Sequence, residues 1–115
     1  MNVHIKRVYD EPAPDDGERI LIDRLWPRGL TKERADIALW LKDIAPSTAL
    51  RKWFNHDPDK WDEFKKRYRD ELDANTVVTA RLIHELSSKK AMLVYSAHDE
   101  VHNDAVVLKG YLEGK

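Results

Sequence analysis

The stretch Ala91-Met92-Leu93-Val94-Tyr95 (AMLVY) contains no charged or strongly polar side chain and lies between Lys89-Lys90 and Ser96. It is too short for a helix and too apolar for a strand with one wet face. It reads as a central strand buried on both sides. A buried strand this late in the chain decides the fold, because everything before it must wrap around it.

Immediately upstream, Thr76 to Leu86 carries Val78, Leu82, Ile83 and Leu86 at helical spacing. Further back, Asp57-Pro58 is a helix start: aspartate caps, and proline suits the first helical position. From there Trp61, Phe64, Tyr68 and Leu72 recur on one face, opposite a charged face that includes Lys60, Asp62, Glu63, Lys66 and Asp70. Ser47 after Pro46 is an N-cap, with Leu50, Trp53 and Phe54 on the apolar side. Downstream, His102 to Glu113 reads as the last helix, with Ala105, Val106, Leu108, Leu112 and Tyr111 turned inward.

The first part of the chain supplies the other strands. Val3 to Tyr9 is short and β-rich. Asp10 to Gly17 (DEPAPDDG) is an exposed loop by its prolines, glycine and acids. Arg19 to Leu25 (RILIDRL) is a second strand, with Ile20 and Ile22 on one face and Leu21 on the other. Thr31 caps a short helix, and Ile37 to Ala45 suits helix or extended chain equally. A helix-rich crossover into AMLVY requires a parallel pair. The expected fold is α/β: a short, mostly parallel sheet of about three strands, flanked by helices, with a Rossmann-like site at the strand ends.

The 115 residues, 1–115, make one domain. Twenty Lys and Arg balance twenty-one Asp and Glu, leaving a net charge of −1. That balance, with no basic recognition helix, weighs against a nucleic-acid-binding regulator. There is no cysteine, which excludes disulfides and thiolate chemistry. No apolar run approaches the ~20 residues that span a bilayer, and no signal-peptide pattern opens the chain. A cytoplasmic protein without membrane contact is expected, and the sequence leaves its oligomeric state open.

Ligands of open α/β sheets bind beyond the carboxyl ends of the strands. The second strand runs out there into Asp23, Arg24, Trp26, Pro27, Arg28 and Gly29, and the central strand runs out into Ser96. His102 and Asn103 open the following helix. Arginine forks pair bidentately with phosphate or carboxylate, so Arg24 and Arg28 are candidate anion ligands, joined by Arg51 one turn beyond Ser47. Trp26 is a candidate stacking wall. Ser47 and His56 complete the binding set with Asn103. His102 is the candidate for proton transfer, with Ser96 and Asp23 as its catalytic company. Asp23 has an alternative task, orienting an arginine. Ion pairing of the arginines with acids, and plain packing of Trp26, would be purely structural uses of the same residues.

His98-Asp99-Glu100-Val101-His102 is not a zinc-protease helix, since Asp99 stands where that motif needs glutamate. Ser96 lacks the glycines of a nucleophile elbow. Neither a metal nor another cofactor is expected. The reading is a pocket for an anionic, phosphate- or nucleotide-like small molecule, with hydrolysis or group transfer as its chemistry. The alternative is a ligand-sensing or protein-docking module without catalysis.

Three blocks resemble one known family: RILIDRLWPRG (Arg19 to Gly29), APSTALRKWFNHDP (Ala45 to Pro58) and LVYSAHDEVHNDAVVL (Leu93 to Leu108). The chain resembles the YeaO-like branch of the domain of unknown function 488 family. The resemblance implies a compact α/β domain and brings no biochemical activity with it. The positions matching its signature are Asp23, Arg24, Trp26, Pro27, Arg28, Gly29, Ser47, Leu50, Arg51, Phe54, His56, Ser96, His102 and Asn103. More distant relatives resemble a cysteine-bearing pattern near Ser96, which this cysteine-free chain cannot follow. Where His98 stands, the family commonly has lysine.

Overall fold

A computed structural model describes residues Met1 to Lys115. Four strands form one all-parallel sheet: β1 (Ile5–Arg7), β2 (Glu18–Leu21), β3 (Ile37–Trp40) and β4 (Ala91–Tyr95). Their spatial order is β1-β4-β2-β3. β4 is therefore central, and Leu93 faces Ile5 on one side and Ile20 on the other. Five helices accompany the sheet: α1 (Lys32–Ala35), α2 (Thr48–Phe54), α3 (Trp61–Ala74), α4 (Thr76–Ser88) and α5 (Asp104–Glu113).

Side-chain alternation along a strand divides the core in two. Ile20, Ile22, Leu93 and Tyr95 enter the main cluster with Phe54, Phe64, Tyr68, Leu82 and Leu108, from α2 to α5. Leu21 and Val94 point the other way, to Val8 and Ala35, with Trp26 and Leu30 packed over them. The thinner face holds the least expected buried group. Arg19 is 1% exposed. Its Nε donates to the Ala35 carbonyl at 2.9 Å, and one terminal nitrogen donates to the Val8 carbonyl at 2.9 Å. The other terminal nitrogen meets Asp16 at 3.3 Å. Asp16 also accepts from Lys6 at 3.1 Å and from the Ala13 amide at 3.0 Å. The acidic loop expected to be wholly exposed is thus pinned at Asp16. At its end, Gly17 has φ 72°, and a Cβ there would run into the Lys90 carbonyl, so glycine is required.

Three expectations are corrected. The sheet has a fourth strand, because Ile37–Trp40 is extended along β2 as an edge strand. Arg19 opposes Ile37 and Ile20 opposes Leu39, so Ala38 is the extra residue of a bulge. β2 ends at Leu21, although Ile22 still donates to the Val94 carbonyl at 3.2 Å. In α5 the buried valine is Val107, not Val106, and the helix starts at Asp104 with Asn103 as N-cap.

No helix is long and apolar enough to cross a membrane.

Candidate functional site

Parallel strands end on the same side. β1 delivers Arg7, β4 delivers Ser96, and the chain leaving β2 delivers Asp23, Arg24, Trp26 and Arg28 to one rim. The starts of α2 and α5 face it. Together they enclose a cavity of about 930 Å³. Asp23, Arg24, Trp26, Arg28, Arg51, His56, Ser96, His102 and Asn103 all line it. Of the candidate catalytic and binding residues, Ser47 alone does not.

Ser47 is occupied structurally. Its hydroxyl accepts from the Leu50 amide at 3.1 Å, capping α2. The same hydroxyl donates to Glu71 at 2.6 Å, and its amide donates to the other Glu71 oxygen at 2.8 Å. This clamp ties α2 to α3. Ser47→Ala removes the cap and orphans one Glu71 oxygen. A loss of about 1–2 kcal/mol in urea unfolding is expected, with any ligand affinity of the cavity unchanged in titration.

At the centre of the rim, one Asp23 oxygen accepts from the Ser96 amide at 2.8 Å and from its hydroxyl at 2.9 Å. Asp23 does not orient Arg24. The Asp104 carboxyl is its charged neighbour instead. Burial, and then the neighbouring Asp23 charge, push the Asp104 carboxyl well above the usual carboxylate range. One Asp104 oxygen accepts from the Ala105 amide at 3.0 Å.

His102 belongs to a different arrangement. Its Nδ1 lies 2.9 Å from Asp99, and its ring stands edge-on to Trp61 at 5.2 Å. The His102 and Val101 amides both donate to the other Asp99 oxygen at 2.9 Å. These backbone bonds, with the His102 ring, hold the Asp99 carboxyl down at about 2. Ser96 gives its hydroxyl hydrogen to Asp23, so the serine-to-histidine bond of an activated nucleophile is not formed. Asn103 caps α5 through the Val106 amide at 3.0 Å and donates to the Asp99 carbonyl at 2.9 Å.

The cations are differently placed. Arg24 reaches the Ala45 carbonyl at 3.4 Å and Asp43 only at 3.8 Å, and its buried Nε has no partner. Arg28 and Arg51 enter no ion pair. Arg7 donates to the Ala97 carbonyl at 3.0 Å and lies over Tyr9. Lys52 also lines the cavity. Five cationic side chains thus face two carboxyls in a chain whose net charge is −1.

Trp26 lines one wall, but it is also anchored as structure: Nε1 donates to the Leu30 carbonyl at 2.8 Å, and its ring meets Trp40 at 5.6 Å. Asn55 and His56, on the opposite wall, both have positive φ, at 46° and 55°. Adjacent non-glycine residues held there store strain. No group of three or more His, Asp or Glu side chains is disposed to hold a metal ion.

Arg7 and Asp104 were missed from the sequence. Arg7 was detectable by the strand-end rule once β1 was known to be parallel. Asp104 read only as a helix-start charge.

A profile of the family described as "Inactive DUF488-N3 subclade" matches residues 2–115. An uncharacterised protein of Mycobacterium tuberculosis is 37% identical over 114 residues, which covers 98% of this chain and 95% of that protein. The uncharacterised protein YeaO of Escherichia coli is 40% identical over 112 residues, 97% of each chain. No solved structure matches the chain.

Proposed function

The chain belongs to the YeaO-like DUF488 family, within the subclade described as inactive, and from that premise we propose that its cavity binds a small phosphate-bearing molecule without transforming it. One observation carries the reading: the guanidiniums of Arg7, Arg28 and Arg51, free of carboxylate partners, and that of Arg24, with only a 3.8 Å contact to Asp43, gather at one hollow in an otherwise slightly acidic protein. A desolvated arginine without an acceptor is unfavourable, and a phosphate supplies the acceptors. The strand-end position favours the same use.

Binding without turnover is the better reading for two reasons. The family description says inactive. In addition, Ser96 is bonded to Asp23, and His102 to Asp99, so no histidine is paired with a hydroxyl nucleophile. The hydroxyl and the imidazole serve as wall, not as machinery.

Calorimetric titration with inorganic phosphate at low salt tests this. Saturable one-site binding with Kd on the order of 0.1–1 mM is expected, weakening as salt rises. Phosphate esters incubated with the protein should be recovered intact. Heat without saturation would end the binding reading, and protein-dependent ester cleavage would end the non-catalytic one.

A further inference from the structure

The cavity is lined by charges of both signs. Arg28 is exposed, and Arg24 and Arg51 are partly exposed. They come from the loop after β2 and from α2. The carboxyls of Asp23 and Asp104, also partly exposed, lie where the chain leaving β2, the end of β4 and the start of α5 meet. A bare anion suits the arginines but is repelled by the carboxyls. An occupant filling the hollow must therefore be bipolar: anionic at one end, rich in hydrogen-bond donors at the other. Trp26 and Phe54 also line the hollow and give it flat apolar surface.

We propose that the occupant is a nucleoside monophosphate, with its phosphate among Arg24, Arg28 and Arg51 and its hydroxyl or amino hydrogens donated to the Asp23–Asp104 pair. This rests on the phosphate-binding reading above and assigns the other end of the ligand. The protein side needs no rearrangement of the Ser96 clamp, because that clamp uses a single Asp23 oxygen. The carboxyl pair discriminates: it rejects anions without donors and accepts those that carry them.

The experiment compares AMP with inorganic phosphate by calorimetry, on the wild-type chain and on Asp104→Ala. AMP should bind at least tenfold more tightly than phosphate to the wild type. In Asp104→Ala the ratio should fall to within threefold, and Asp104→Asn, which keeps a carbonyl acceptor, should restore it. A merely structural Asp104 would change both affinities together and leave the ratio intact, which would overturn the assignment. Equal wild-type affinities for AMP and phosphate would overturn it too, while leaving the phosphate site standing. Binding of neither would sink both. Adenosine, which lacks phosphate, gives an arm that depends on no variant's folding. It should displace AMP, and no displacement at a hundredfold excess over AMP would contradict the proposal.

Discussion

Asp16→Ala should destabilise the protein by about 3 kcal/mol, more than any single change at the cavity. Arg19 is buried with its guanidinium between two carbonyls and this one carboxylate. Deleting the acid leaves a desolvated charge with no counterion. It also frees the Lys6 ammonium and the Ala13 amide, so the 10–17 loop loses its anchor. Urea unfolding should show a lower midpoint with an unchanged slope. Adding Arg19→Met should recover part of the loss, since an apolar chain in that slot needs no partner. If the double variant is as unstable as the sum of the two single ones, the pair is not coupled as the geometry implies.

The same site gives an acid limb. Burial alone would raise the Asp16 carboxyl. Hydrogen bonds from the Ala13 amide, Lys6 and Arg19, with the Lys6 charge, outweigh it and leave the carboxyl below its ordinary 3.8. Its native proton affinity is thus weaker than its unfolded one. The stabilisation is complete above the unfolded value and is lost as pH falls through the lower native value. Wild-type stability should decline below about pH 4, with a shallower decline in Asp16→Ala.

The second large effect concerns affinity. Arg51→Ala should weaken phosphate binding about tenfold to a hundredfold, the loss of a charge-assisted contact worth about 1.5–3 kcal/mol. Arg51 enters no ion pair inside the protein and is only partly buried, so its removal should leave unfolding within about 0.5 kcal/mol of wild type. Arg24→Ala should cost similar affinity but change stability slightly, because Arg24 also touches Ala45 and Asp43. Full affinity in both variants would remove the arginines from the site.

Much of this was legible because the relevant residues are chemically one-sided. AMLVY could only be a covered strand, and the alternation Ile20-Leu21-Ile22 told in advance that the sheet had two covered faces. Parallel strands then forced Asp23, Arg24 and Ser96 to one side. Ile37–Trp40 was not legible, because four apolar residues without a turn signal fit two periods equally well. Arg19 was invisible for a different reason. A charged residue at a strand start normally means solvent, and only the tertiary meeting with Asp16 makes burial tolerable. Asp104 looked like a helix-start acid, and the burial and neighbouring Asp23 that raise its carboxyl are long-range facts. Ser47 was read for two tasks and has one, since nothing local says that Glu71 will take its hydroxyl.

The central claim is that phosphate-bearing molecules enter at the carboxyl ends of the strands. Amide chemical-shift mapping during a phosphate titration tests it most directly. The account predicts saturable shifts at Arg24, Arg51, Ser96 and Asn103, with the exposed cationic face of α3 around Lys66 and Arg69 silent. Shifts confined to that α3 face, or scattered over the surface without saturation, would contradict it.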